Sequence, residues 1–332
     1  MDSIIIDIEI DNSDIIKNSI KKIHSIFQYS LRGSEVVYDS EKTEMNEFFI
    51  PSRFDQLTFT LDKGEIWIQI SENNSLYRIC FYHIDYTNFN EIESLLVNDF
   101  KNSIRFVYLH EGIDELLSNS EVLFQWKRNK RLLPSFIDVI PNPSYTNRLE
   151  MEIIILESLP GHSHQMNHYA NSDKLWFGAC WQMYFSPIYY KYIPKPLWDE
   201  FTDCYEHKVF ENGLRKITLF ENPEDYDLSE SRAKQWAFRR QLGIDSIAHE
   251  VCPRLNRQQF EPENLPVVIT KKNCQKGQTR VTRFLDANKK LINSNKATYK
   301  EVKEYLDDGI TIVFEEITEL KKGFFRNLFA RE

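Results

Sequence analysis

Glycine is scarce in this chain, with 10 in 332 residues, and neither GxGxxG nor GxxxxGKS/T occurs. Both loops need glycine where the backbone closes on a phosphate, so no glycine-rich nucleotide-binding fold is expected. No run of eighteen apolar residues is present, so no membrane-spanning helix is expected. The opening Met1-Asp2-Ser3-Ile4-Ile5-Ile6 has no basic flank and no small-residue cleavage site, which predicts no secretory signal. Cysteine is sparse too: Cys80, Cys180, Cys204, Cys252 and Cys274 are odd in number and far apart. That pattern predicts reduced thiols in a cytoplasmic protein rather than a disulfide framework. Internal repeats and low-complexity tracts are missing as well.

What is there is ample for packed cores: 42% of residues are hydrophobic and 14% aromatic. The net charge of −9 is unevenly spread. Between Arg254 and Lys296, 10 Lys or Arg face 3 Asp or Glu, a surplus of seven that leaves the remainder at −16. An acidic body of this kind repels nucleic acid and attracts basic partners.

The stretch Leu175–Ile193 organises the chain. Leu175, Phe177, Ala179, Trp181, Met183 and Phe185 alternate with Trp176, Gly178, Cys180, Gln182 and Tyr184. This period of two predicts one long strand, its apolar set facing a core and its mixed set facing a cleft, a partner or a second layer. Each apolar side chain is worth about 1.5–3 kcal/mol when fully buried. Pro187 ends the ladder, and Ile188–Tyr192 reads as a short helical turn.

Before that ribbon, Ile4, Ile6, Ile8 and Ile10 alternate as a half-buried strand, and Ser13 opens a helix to about Tyr29. Leu57–Leu61 and Glu65–Ile70 form a hairpin around Asp62-Lys63-Gly64, with a third strand at 76–83. A helix at about 89–101 and a strand at 104–109 follow. Residues 1–126 thus read as an α+β meander domain and 127–148 as a linker holding the basic run Lys127–Arg131 and three prolines. A second α+β domain over 149–252 surrounds the aromatic ribbon. In it Asn212-Gly213 marks a two-residue hairpin, and Asp227 caps a helix that carries Ala233, Trp236, Ala237 and Arg240 on one face and stops at Gly243. Residues 253–332 read as a small basic unit with strands at 267–269, 280–285, 291–292 and 310–314. There Thr298–Glu301 reads as a capping box for a helix striped by Val302, Tyr305 and Leu306 and ended by Gly309. The fold class expected is α+β with mainly antiparallel sheets and a ββαβ-like C-terminal unit.

His162, His164 and His168 are the most specific chemical signal. Imidazoles two apart on an extended strand project the same way, so His162 and His164 can share a divalent metal such as Zn with His168. Glu157 or Asp173 would have to complete the shell. The aspartate of an HxHxDH motif and the glutamate of a cupin motif are both absent, and the plainer reading is a solvated polar loop. Cys204 and His207 make a bare CxxH, and His249-Glu250 lacks the second histidine of HExxH because Pro253 stands there. Cys180 reads as a buried inert thiol.

The acidic loop Glu221, Glu224, Asp225 and Asp227 has no EF-hand spacing and reads as a surface for a basic partner, with Trp176 and Tyr184 as aromatic anchors. Lys271, Lys272, Lys276 and Arg280 can contact phosphates, though a solvated surface is the plainer reading. The tail Leu320, Phe324, Phe325, Leu328 and Phe329 reads as a docking segment rather than a membrane-surface helix, because Gly323 interrupts it.

The ribbon at 175–185, Tyr190-Lys191-Tyr192-Ile193-Pro194, the Asn212-Gly213 hairpin, and Trp236–Arg239 followed by Leu242–Asp245 resemble uncharacterised bacterial proteins of the polymorphic-toxin immunity type. The resemblance covers 174–245, rests on packing residues and turns, and assigns no site residue. It implies a small acidic protein that neutralises a partner toxin. Two functions follow for testing: an interaction protein with an acidic working surface and no catalysis, and a metal-dependent hydrolase built on the three histidines. Nucleic-acid binding through the basic unit is a third and weaker reading.

Overall fold

A computed structural model of the chain describes residues 175–244, 246–247, 265–272 and 274–320 and, before them, the elements named below with helical positions 18, 21–23 and 25–26. In chain order the elements are β1 (Ser3–Glu9), β2 (Glu35–Tyr38), β3 (Glu41–Glu44), β4 (Gln56–Leu61), β5 (Gly64–Ile70) and β6 (Leu76–Tyr82). Then come α1 (Phe89–Leu95), continued as a π-type turn at Leu96–Phe100, β7 (Ile104–His110), β8 (Ile137–Pro141), β9 (Glu152–Leu156), β10 (His168–Tyr169), β11 (Trp176–Phe177) and β12 (Gln182–Phe185). They are followed by α2 (Lys195–Glu200), β13 (Glu206–Val209), β14 (Arg215–Thr218), α3 (Ser229–Gln241), β15 (Val267–Thr270), β16 (Gln278–Leu285), β17 (Tyr299–Leu306) and β18 (Ile312–Glu319). All strand pairs among the described residues are antiparallel, and the fold class is α+β.

The chain divides into two compact units that are not consecutive stretches. The first takes Met1–Ile113, Cys180–Pro187 and Tyr205–Tyr226; the second takes Asp114–Ala179, Ile188–Cys204 and Asp227–Glu332. The block 149–252 expected to form one domain is therefore shared between them.

The first unit is a ten-stranded sheet in the order β13-β14-β12-β7-β1-β6-β5-β4-β2-β3. The period of two does its work in β4 and β5: Leu57, Phe59, Ile66 and Ile68 are buried, with Gln56, Thr58 and Thr60 half-buried in alternation with the first pair. Phe89, Ile92 and Leu95 of α1 are buried at helical spacing. Between β13 and β14, Val209 pairs with Arg215, Gly213 N donates to Phe210 O at 2.9 Å, and Gly213 has φ +80°. The hairpin loop is thus three residues long with glycine in the left-handed position, not the two-residue turn expected from Asn212-Gly213, because Asn212 turns with φ negative and leaves the left-handed step to glycine alone.

The second unit holds the hairpins β8–β9 and β10–β11, the helices α2 and α3, and a four-stranded sheet β15-β16-β17-β18. Its core is a run of tilted rings. Phe177 meets Tyr189 at 5.5 Å, Tyr189 meets Trp198 at 6.2 Å, Trp198 meets Phe238 at 6.2 Å, and Phe238 meets Phe201 at 5.1 Å. Gly243 ends α3 with φ +66° against β15, where a Cβ would lie 2.8 Å from Ile269.

Several expectations are corrected. The ribbon is not one strand: β11 and β12 are separate strands in separate sheets, broken at Gly178–Trp181 where the chain passes between units. Asp227 lies in a 3₁₀ turn, Pro223–Asp227, and α3 starts one residue further on, behind Leu228, with no side-chain cap. Its buried positions are Ser231, Phe238 and Arg239, while Ala233 is exposed. The helix expected from Thr298 is strand β17, and Leu291 makes only an isolated bridge to Leu285, so the C-terminal sheet is a plain four-strand meander. The turn at Pro187–Lys191 matches its expectation.

Candidate functional site

The register of the large sheet lays two rows of residues side by side on one face. One row runs Leu57, Ile68, Ile79, Ile6, Val107, Tyr184, Lys216, Lys208. Its neighbour runs Phe59, Ile66, Phe81, Ile4, Leu109, Gln182, Thr218, Glu206. Directly opposed residues of antiparallel strands share a face. Both rows are apolar from β4 to β7 and polar from β12 to β13, so a polar patch forms at one end of an apolar sheet face.

Glu93 of α1 closes that patch. Tyr184 Oη donates to Glu93 Oε1 at 2.5 Å and accepts from Gln182 Nε2 at 2.8 Å, and Thr218 Oγ1 donates to Gln182 Oε1 at 3.3 Å. Lys216 Nζ lies 2.8 Å from both Glu93 Oε1 and Glu206 Oε2. Phe210 stacks on Tyr184 at 6.5 Å, and Lys208 Nζ stands 4.6 Å above the Phe210 ring. Tyr184 is fully buried, whereas the Glu93 and Glu206 side chains keep 25% and 40% of their surface, giving the cluster an acidic rim.

Each group holds the charge state that its neighbours demand. Burial, then the Glu93 charge and hydrogen bond, push the Tyr184 hydroxyl well up. Burial alone would push the Glu93 carboxyl up, but hydrogen bonds from Lys216 and Tyr184 and the lysine charge outweigh it, and the net shift is down. For Lys216 burial pulls down, and the bonds to Glu206 and Glu93 win, so it stays charged into the alkaline range. None of these three sits near neutrality, where a general acid or base works best. The cluster is a fully engaged ionic lock between α1 and the strands β12 and β14.

Tyr184, expected as a partner anchor, is the buried hydroxyl of this lock. Trp176 lies on β11, and its side chain is outside the described residues. Glu221 and Glu224 are exposed; Asp225 is half-buried and accepts from Asn222 Nδ2 at 3.1 Å; the Asp227 side chain lies outside the described residues. His162 and His164 are outside the described residues, and of His168 only its place in β10 is described. His249 and Glu250, the run 127–131 and the tail beyond Leu320 also lie outside them. Among the described residues no three His, Cys, Asp or Glu side chains gather as a metal site. His207 Nε2 lies 2.5 Å from Arg215 Nη1, and since arginine only donates, the imidazole accepts there and carries its proton on Nδ1. Cys180 is a buried thiol outside any disulfide, with Sγ 3.5 Å from the Gln182 carbonyl.

The basic set is partly engaged. Arg280 Nε reaches Glu304 at 2.8 Å, Arg283 reaches Glu200 at 2.8 Å, and Lys271 Nζ lies 4.8 Å from the Tyr192 ring centre. Lys271, Lys272 and Lys276 remain exposed. Sequence reasoning missed Glu93, Glu206, Lys208 and Lys216 as a group. The local signal was polar residues at alternate positions of strongly apolar strands: Gln182 and Tyr184, then Lys216 and Thr218.

No family model matches the chain, and neither does any curated protein. Among solved structures, the Pseudomonas aeruginosa T6SS protein PA0821 aligns over 78% of this chain and 89% of its own, at a TM-score of 0.36 and 8% identity. A likeness that slight transfers neither fold nor function. No described helix is long and apolar enough to cross a membrane.

Proposed function

We propose that this protein is a cytoplasmic protein-interaction module that binds a basic partner through its acidic exterior, in the manner of a toxin-neutralising immunity protein. One observation carries the reading. Glu93, Tyr184 and Lys216 are committed to an internal lock, while Glu221 and Glu224 stand exposed on a chain of net charge −9. Exposed carboxylates of one sign steer an oppositely charged partner and raise its association rate. The aromatic residues of the mid-chain ribbon serve as scaffold.

The test is the association rate, by stopped flow, with a basic protein partner captured with this chain, across a salt series. The rate should fall steeply as salt rises, and Glu221→Lys with Glu224→Lys should lower it about tenfold at low salt. A rate indifferent to salt and to both reversals sinks the proposal. Stoichiometric zinc in untagged protein, lost on changing His162 and His164 together, would replace it with the metal-dependent hydrolase.

A further inference from the structure

The edge of the four-stranded sheet presents an exposed apolar run beside its charges. β18 ends the order β15-β16-β17-β18 and, among the described residues, pairs with β17 alone. All 8 of its residues are exposed. They include Ile312 at 44%, Val313 at 46%, Phe314 at 43% and Ile317 at 52%. An edge strand presents a row of unpaired N–H and C=O groups, and natural edges are usually short, covered, bulged, charged or interrupted by proline. Among the described residues this one pairs on one side only; it has three glutamates and a bulge at Glu304/Tyr305 but no proline, and it carries β-branched and aromatic residues suited to a pleated surface.

The register distributes its chemistry. Phe314 and Glu316 stand opposite Glu304 and Val302 on one face; Glu315 and Ile317 stand opposite Lys303 and Glu301 on the other. Each face therefore offers a large apolar group beside a carboxylate. Glu319 adds a third carboxylate at the far end, and Glu315 is drawn inward, to Lys303 at 3.0 Å. The apolar half around Ile312–Phe314 continues into Ile310, which is also exposed.

Resting on the interaction reading above, we infer that β18 is the docking edge and that its occupant is a basic, strand-forming segment of the partner protein, added antiparallel as a fifth strand. Main-chain hydrogen bonds supply affinity in this mode, and alternate side chains supply specificity. Charge complementarity selects the occupant: Lys or Arg opposite Glu315, Glu316 and Glu319, and apolar residues opposite Ile312, Phe314 and Ile317. A second copy of this chain fits poorly. Full-length antiparallel pairing of two β18 strands sets Glu315 against Glu316, and like charges directly opposed destabilise a sheet. Two chains of net charge −9 also repel.

The probe is the peptide Lys-Thr-Val-Lys-Lys-Val-Ile-Val, the antiparallel complement of β18, with a control carrying Glu in place of each Lys. Binding to the full chain is read by fluorescence anisotropy and located by amide hydrogen exchange. The lysine peptide should bind at least about tenfold tighter than the control, protect 312–319, and lose at least about tenfold in affinity to the Phe314→Thr/Ile317→Thr variant. Those two side chains are exposed, so the variant keeps its fold. Equal affinity for the two peptides, absence of binding, or protection elsewhere overturns the inference. So does a concentration-dependent dimer that the same variant abolishes. The two proposals fail separately: partner association that stays salt-dependent but ignores Phe314→Thr/Ile317→Thr removes the edge and leaves the function, whereas salt-indifferent association removes the function.

Discussion

Glu93 shows how a single carboxylate ties a helix to a sheet through pairing rather than burial. It receives Tyr184 and Lys216 at once, and each hydrogen bond to a charged group is worth about 1.5–3 kcal/mol. Glu93→Gln should therefore destabilise the chain by about that amount at pH 7, measured by urea unfolding. The pH dependence follows from the sign of the shift. The folded Glu93 carboxyl lies below its unfolded value, so its contribution is full above the unfolded glutamate range and fades as pH falls through the folded value. The gap between wild type and Glu93→Gln should close in that acid window. A gap that persists unchanged in acid would show that the carboxylate charge is not what holds the lock. None of this was legible locally. Glu93 lies on a helix recognisable by its apolar stripe, but its partners come from strands far along the chain, and only pairing registers bring them together.

At the scale of elements, hydrophobic period decides what sequence reasoning recovers. β1, β4, β5, β6 and β7 each carry apolar residues at every second position, and each falls within a residue or two of its expected bounds. β17 fails the same test for a physical reason. Glu301 and Lys303 occupy sheet positions that period two would fill with apolar residues, because Arg283 of β16 and Glu315 of β18 neutralise them. With charges there, Val302, Tyr305 and Leu306 mimic a helical stripe. Gly309 belongs to the following hairpin, where Asp308 Oδ1 accepts from Ile310 N at 2.7 Å and Thr311 N at 2.8 Å. Its φ is +64°, its carbonyl accepts from Lys195 N at 2.8 Å, and a Cβ there would collide with the Tyr190 backbone. Gly309→Ala should cost at least about 2 kcal/mol, from left-handed strain and overlap together. Gly277→Ala is the control: φ is +84°, but a Cβ would meet only the flexible Asp307 carboxylate at 3.4 Å, so its cost should be about 1 kcal/mol. Equal thermal shifts for the two variants would refute the collision.

For the whole molecule, the division of the chain matters more than its length. The first unit recruits Cys180–Pro187 and Tyr205–Tyr226 into a sheet begun by residues 3–9. Linear composition marked a boundary near 127–148, because basic residues and prolines gather there, yet β12, β14 and β13 lie beyond it and extend the same sheet outward from β7. A fragment of residues 1–126 should therefore lack cooperative unfolding and show weak amide protection across 104–110. A fragment with the sharp thermal transition of the full chain would refute this.

That threading constrains synthesis. On the ribosome β7 is made early, yet its neighbour β12 and the strands β14 and β13 beyond it emerge only after the second unit's first segment has been translated. Until then one flank of the nascent sheet is a bare template for foreign strands, so chaperone cover during elongation, more than final stability, should govern the yield of this protein in cells.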